Sequence, residues 1–282
     1  MPQDAITQGR YPEAVVQAVL DALTRVAPRP WLIGLSGLQG SGKSTLAAQL
    51  VELAARRGIA ALALSIDDFY FGRAARQRLA REVHPLLATR GVPGTHDIDL
   101  LLGTLDALRT AAPRRPARVP RFDKGLDTRV APSRWRPVAR MPELVILEGW
   151  CIGVPPQNAA ALARPVNRLE RDEDRDALWR SWVNAQLARH YAPLWRRLDR
   201  LIMLQAPAYA IVARWRDEQE RALRRRNAPR ALSAEALRRF LMHYERLSRQ
   251  ALAALPSRAD LRIVLDEERR VRRLAKMRQA VG

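Results

Sequence analysis

Gly37-Leu38-Gln39-Gly40-Ser41-Gly42-Lys43-Ser44 fits the spacing G-x-x-x-x-G-K-[ST], and the chemistry of that pattern is the holding of phosphate. Glycines let the backbone curl until successive N–H groups face one centre. Lys43 adds a compact positive charge that reaches the β/γ-phosphates, and the Ser44 hydroxyl is a ligand for Mg²⁺. Thr45 carries the loop into the adjoining helical segment. In a chain with 14 glycines, chance would produce the match in roughly one of 2,000 such sequences. Three acidic residues elsewhere complete a possible phosphoryl-transfer set: Asp67 and Asp68 after one apolar run, and Glu148 after another.

These residues need elements to bring them together. Residues 31–36 are apolar and read as a buried strand; residues 45–57 carry Leu46, Leu50 and Leu53 at helical spacing. Strand, glycine loop and helix is the order a phosphate site requires, because the helix N-terminus adds partial positive charge. Residues 59–66 form a second strand that delivers Asp67-Asp68-Phe69-Tyr70. Residues 144–147 form a third, ending at Glu148-Gly149-Trp150, with a fourth at 201–204 and a last at 261–265. Helices are predicted at 13–26, 100–108 and 175–198, the last with Leu178, Trp182, Leu187, Tyr191 and Leu194 inward. Pro207 opens another helix through Trp215 and Glu220, and Ser233 caps the next. The acidic cluster Asp172-Glu173-Asp174 reads as charge at a helix N-terminus. Residues 110–142 are rich in Pro and Arg with little periodicity. This alternation predicts an α/β fold with a five-stranded, mainly parallel sheet. Ligands in such sheets sit at the carboxyl ends of the strands, where the glycine loop, Asp67-Asp68 and Glu148 all fall. With no repeat and no linker-rich boundary, residues 1–282 are expected to be one domain.

Composition narrows the classes. Cys151 is the only cysteine, so no disulfide within the chain is possible and a reducing compartment fits. No apolar run approaches the ~20 residues of a membrane span, and the N-terminal residues lack a signal-peptide pattern. A cytoplasmic protein without a membrane partner is the expectation. The formal charge is +20 and is almost entirely arginine; the lysines are Lys43, Lys124 and Lys276. With no nucleic-acid motif beside it, this charge reads as solvated helix faces, with denser runs at 221–226 and 269–273. A nucleotide-dependent nucleic-acid-binding protein is the alternative from another class, and it predicts binding that falls steeply with salt. The lysine shortage has its own use. Where arginine is the default, a lysine marks a place that needs a compact ammonium, and Lys124 in Pro120-Arg121-Phe122-Asp123-Lys124-Gly125 is the second such place after Lys43.

Phosphate loops serve GTPases, motor ATPases and small-molecule kinases. None of the three lysines sits in an [NT]-K-x-D guanine-reading motif, and the strand at 144–147 ends in Glu-Gly rather than Asp-Glu. Both observations favour a small-molecule kinase. Such an enzyme needs a group to accept the acceptor hydroxyl's proton, Mg²⁺ ligands, and cations around the γ-phosphate. Asp67 or Asp68 suits the first role and Glu148 the second. Asp67 could act as base, Mg²⁺ ligand or both.

Ser65-Ile66-Asp67-Asp68-Phe69-Tyr70, Arg90-Gly91-Val92-Pro93-Gly94-Thr95-His96-Asp97, Pro120-Arg121-Phe122-Asp123-Lys124 and Leu147-Glu148-Gly149-Trp150 together resemble the plant and fungal type of D-glycerate 3-kinase, as do Trp215-Arg216 and Gln219-Glu220. Wider relatives are uridine kinase, phosphoribulokinase and pantothenate kinase. The resemblance covers residues 31–265. It implies a P-loop kinase of three layers with a helical lid near 207–230, ATP and Mg²⁺ as cofactors, and Asp67 as base. It implies an acceptor site within 67–140, built from Asp68, Tyr70, Arg90, Thr95, His96, Asp97, Arg121, Asp123 and Lys124. It also implies that Arg216 approaches the nucleotide phosphates. Gly125 stands where relatives usually have Ser. The implied acceptor is D-glycerate, giving 3-phosphoglycerate; another small hydroxylated acceptor, such as a nucleoside, a sugar or pantothenate, is the alternative. An anionic acceptor needs a carboxylate partner, for which Arg90, Arg121, His96 and Lys124 are available, arginine being best for bidentate binding.

Overall fold

The computed structural model describes residues 10–25, 31–225 and 233–276. Its centre is a six-stranded sheet in the order β2 (Ala61–Ser65), β7 (Leu144–Gly149), β1 (Leu32–Gly37), β8 (Arg200–Gln205), β9 (Leu261–Leu265), β10 (Val271–Lys276). The first five are parallel and are those expected from the apolar runs; β10 adds an antiparallel edge. That sixth strand was not predicted, because an arginine-rich segment with one side to solvent carries no continuous apolar run. Strands β1 and β7 are buried along their whole length, as parallel strands covered on both faces must be.

Register is what positions the site. Leu35 of β1 pairs with Glu148 of β7, and Glu148 also pairs with Ser65 of β2. Three strands therefore end side by side. Asp199 secures the other end of β1, its Oδ2 accepting from the Trp31 and Leu32 amides at 2.8 and 2.7 Å. After β1 the chain turns into helix α2 (Lys43–Arg56), which packs on β1, β2 and β7, with α1 (Glu13–Thr24) packed on α2. Residue 26, the expected end of the α1 pattern, lies outside the described residues.

Other segments depart from their sequence pattern in informative ways. After β2 a 3₁₀ turn, Ile66–Phe69, carries the two aspartates. Helix α3 (Arg73–Glu82) comes next, then α4 (Ile98–Arg109), which begins two residues before the predicted helix because Asp97 caps it from its side chain to the Leu100 amide at 3.0 Å. The stretch 110–142 is not structureless: β3 (Ala117–Val119) pairs with β6 (Arg136–Val138), and β4 (Phe122–Asp123) with β5 (Thr128–Arg129). Strands of two or three residues are too short to show alternation. Two short helices, α5 (Ala159–Ala163) and α6 (Arg168–Glu173), precede the predicted long helix. That helix is α7 (Leu178–Gln186), a π turn at Leu187–Tyr191 and α8 (Ala192–Trp195). Of the acidic cluster read as charge at a helix N-terminus, Asp174 takes that role, accepting from the Trp179 amide at 2.7 Å, whereas Asp172 and Glu173 lie at the end of α6. Leu178, expected inward, is exposed at the start of α7.

Helix α9 (Ile211–Arg225) starts four residues after Pro207, and α10 (Ala234–Ala254) is capped by Ser233. Residues 226–232, part of the proposed lid and the end of one arginine run, lie outside the described residues. Helix α10 is fastened by a buried ion pair: Arg246 holds both oxygens of Glu170, at 2.8 and 2.6 Å, and donates to the Ala161 and Arg164 carbonyls at 2.8 and 2.7 Å. Removing one partner of such a pair strands a buried charge. Arg246→Met should therefore cost about 3–5 kcal/mol of stability, measured by chemical denaturation. A loss under about 1 kcal/mol, the scale of an exposed pair, would show that the pair does not hold α10.

Candidate active site

The aligned strand ends open into a cleft of about 540 Å³, within the range of small-molecule sites. Its floor is the phosphate loop. Gly40 and Gly42 have φ of +80° and +88°, the left-handed region that glycine enters without a Cβ penalty. Space demands glycine too: a Cβ on Gly40 would lie 2.7 Å from the Trp215 Cβ, and one on Gly42 3.0 Å from the Tyr11 hydroxyl. The Tyr11 hydroxyl donates to the Ser41 carbonyl at 2.7 Å, while Gln49 grips the Tyr11 backbone amide and carbonyl at 2.8 and 2.9 Å. The segment before α1 thus braces the loop from outside.

Lys43 curls back to donate to the Leu38 carbonyl at 3.1 Å. Burial lowers its pKa, opposed by Glu148 and Asp67. Ser44 donates to Glu148 Oε1 at 2.7 Å. These two oxygen ligands suit Mg²⁺, which takes one or two protein oxygens and completes its shell with phosphate and water. Gly37, Leu38 and Ser41 shape the loop from beneath, while Gln39, Gly40, Gly42, Lys43, Ser44 and Thr45 face the cleft.

The opposite wall carries Asp67, Asp68, Tyr70, Arg90 and Lys124. Asp67 Oδ2 accepts from Lys124 Nζ at 2.7 Å. Burial pushes the Asp67 carboxyl up, but Lys124, by charge and by hydrogen bond, with help from Lys43, leaves it below the ordinary carboxylate value. The Lys124 side chain is 61 % exposed, so the pair is screened and opens at little cost. Asp68 differs from its neighbour. It accepts from the Phe122 amide at 3.0 Å, tying the β4–β5 hairpin to the 3₁₀ turn, and burial raises its pKa, with the Phe122 bond opposing. Tyr70 lines the same wall, its hydroxyl pKa raised by burial and by Asp67.

Arg90 also reaches the cleft, lying over the Phe122 ring at 5.7 Å and paired with Asp127. Asp127 pairs in addition with Arg76, which is buried, at 2.5 Å. One carboxylate in the hairpin thus sets an arginine of the 90–97 segment. Arg216 faces the cleft from α9, its Nη1 and Nη2 held by Gln219 and Glu220 at 2.7 Å each.

Other residues expected to face an acceptor stand behind this wall. Thr95 is buried and folds its own loop, donating to the Val92 carbonyl at 2.7 Å and accepting from the Gly91 amide at 3.0 Å. His96 is buried beneath Tyr70, ring centroids 4.3 Å apart, with Nδ1 2.7 Å from the Tyr191 hydroxyl; burial lowers its pKa to about 4. Asp97 caps α4 and pairs with Arg129 at 3.1 Å. Asp123 accepts from the Leu126 amide at 2.9 Å, and Arg121 is exposed; neither lines the cleft. Thr95, Asp97 and Asp123 spend their polar atoms on turns, a helix cap and an ion pair, uses that motif spacing does not separate from ligand binding.

Conversely, Tyr244 and Phe240 line the cleft without having been singled out for it, beside Trp150 and Gln219 of the motif segments. Tyr244 donates to the Arg90 carbonyl at 2.9 Å, and Trp150 Nε1 to the Gly91 carbonyl at 3.2 Å. On an amphipathic helix, Tyr244 reads as core, and only the packing of α10 against residues 90–91 shows otherwise.

With this geometry in view, comparisons with known proteins are decisive for family. The chain is 32 % identical over 272 residues to a fission-yeast (Schizosaccharomyces pombe) protein named uncharacterized kinase mug58, covering 91 % of this chain and 96 % of that one. The chain belongs to the family of P-loop kinases that it shares with relatives named D-glycerate 3-kinase. It is 31 % identical over 257 residues to the chloroplastic D-glycerate 3-kinase of Arabidopsis thaliana, matching 85 % of this chain but only 53 % of that longer protein. In structure it is similar to the D-glycerate 3-kinase of Cryptococcus neoformans, with a TM-score of 0.78 at 25 % identity over 94 % of this chain and 99 % of that one. No family model matches the chain.

The Lys124–Asp67 pair yields a pH prediction. Asp67 sits below the ordinary value because Lys124 outweighs burial. In Lys124→Met burial acts with less opposition, so the Asp67 pKa rises and the acid limb of the kcat/KM profile moves to higher pH. An unmoved limb would mean that Lys124 does not set the charge on Asp67.

Proposed function

We propose that this protein is an ATP- and Mg²⁺-dependent kinase of a small hydroxylated acid, D-glycerate, giving 3-phosphoglycerate. The observation that carries the reading is that one cleft holds the phosphate loop with Lys43, the Ser44–Glu148 pair, the Lys124–Asp67 pair and Arg90. The relatives named D-glycerate 3-kinase support the choice of acceptor.

The loop amides and Lys43 bind the β- and γ-phosphates. Ser44 and Glu148 would hold Mg²⁺, which, when bound, neutralises charge on the phosphates. Arg90, with Asp127 fixing its plane, keeps N–H donors for the acceptor's carboxylate. A hydroxyl of the acceptor then faces Asp67. Its oxygen forms the new bond to the γ-phosphorus as the bond from that phosphorus to the β,γ-bridging oxygen breaks. The hydroxyl proton passes to Asp67, and ADP leaves with the bridging oxygen. Lys124, whose bond to Asp67 is readily opened, balances charge on the migrating phosphoryl group. Because Asp67 is an anion at neutral pH, it is ready to accept that proton.

An ADP-release assay over D-glycerate, pantothenate, ribulose 5-phosphate and uridine tests the acceptor. D-glycerate alone should stimulate turnover; stimulation only by another member would refute glycerate while keeping the kinase. Asp67→Asn should bind ATP normally yet turn over at least about 10²-fold more slowly, the usual effect of a lost general base. Full turnover in that variant would remove Asp67 from the base role.

A further inference from the structure

Gln39 occupies the second variable position of the phosphate loop, and its side chain is at odds with its surroundings. Its amide nitrogen and its amide oxygen are both shielded from solvent, and neither has a hydrogen-bond partner. A buried amide left so is unfavourable at both ends. The residue nevertheless lines the nucleotide cleft, where a ligand could satisfy it. A second shielded and unpartnered group belongs to a residue that lines the same cleft: Nε of Arg216, whose two terminal nitrogens are already engaged.

These two groups flank one tight contact. Gly40, next to Gln39, packs on Trp215, next to Arg216; a Cβ on Gly40 would sit 2.7 Å from the Trp215 Cβ and 3.3 Å from its carbonyl carbon. The phosphate loop and α9 therefore meet backbone to backbone between Gln39 and Arg216. The unsatisfied atoms are complementary. Arg216 Nε–H is a donor, Gln39 Oε1 an acceptor, and Gln39 Nε2 a donor that matches a phosphate oxygen.

We propose that the Gln39 side chain senses the terminal phosphate of the nucleotide, donating from Nε2 to a γ-phosphoryl oxygen while Oε1 accepts from Nε–H of Arg216. The terminal phosphate is thereby linked to α9 through a single amide. ADP, lacking that phosphate, leaves Nε2 without its ligand. This inference rests on the nucleotide half of the proposed function and is independent of the acceptor.

The test is calorimetric binding of ADP and of the β,γ-imido analogue of ATP, each with Mg²⁺, to the full chain. Gln39→Met keeps the length and removes both polar atoms. It should weaken the analogue about tenfold, as for a lost hydrogen bond to a charged group, and leave ADP within about twofold. Gln39→Glu, which retains a polar side chain, should weaken the analogue further by like-charge repulsion, and ADP less than the analogue. Arg216→Met added to Gln39→Met should cost less than the two changes separately, since they share one bond. Equal weakening of ADP and analogue, or no change for either, would overturn the inference. Failure of the wild type to bind either nucleotide would sink the nucleotide reading itself.

Discussion

A site that handles a polyanion must also hold carboxylates, and the two demands conflict unless each carboxylate is matched. The Lys124–Asp67 bond of 2.7 Å resolves that conflict here. Without it, burial would act on Asp67 with less opposition and push its proton affinity up. With it, the carboxylate stays charged in a half-buried place, and the ammonium is supplied by a largely exposed lysine that is free to leave. The hairpin that carries Lys124 is correspondingly well anchored. Asp68 holds its first strand through the Phe122 amide, Arg129 reaches the Tyr70 carbonyl at 3.1 Å, and Asp127 joins it to Arg76 and Arg90.

The nucleotide side obeys a parallel logic with backbone instead of side chains. Strand register brings Gly37, Glu148 and Ser65 to one edge, and positive-φ glycines turn the chain inward there. Tyr11 braces the loop from one side and Trp215 from the other. Trp215 is itself fixed, its Nε1 donating to the Glu267 carbonyl at 2.7 Å and its ring lying under Arg269 at 5.6 Å. The turn between β9 and β10 thus supports the loop, although neither strand reaches the cleft.

Much of this was legible in the sequence, and the reasons differ by residue. The five parallel strands are continuous apolar runs, so their existence and the acidic residues at their ends could be read directly. The glycine loop has a spacing that chance seldom produces and that phosphate binding explains. Lys124 was legible because lysine is so scarce in this chain that its position carried information. The β10 edge and the short ribbons of 110–142 were not, since brief or half-exposed strands leave no periodic mark. Thr95, Asp97 and Asp123 belong to motifs that point toward the acceptor, yet their polar atoms fold turns and a helix cap behind it. Tyr244 and Asp127 act at long range, across 154 and 37 residues from Arg90, and no local pattern predicts such partnerships.

The charge on Asp67 can be observed without turnover. With ¹³C-labelled aspartate, the side-chain carboxyl resonance of Asp67, assigned by its loss in Asp67→Asn, can be tracked through an acid titration. The Lys124–Asp67 pairing predicts that it titrates below the ordinary aspartate value, near 3.8, and moves upward in Lys124→Met. A resonance that titrates at or above the ordinary value in the wild type, and does not move when Lys124 is replaced, would contradict it.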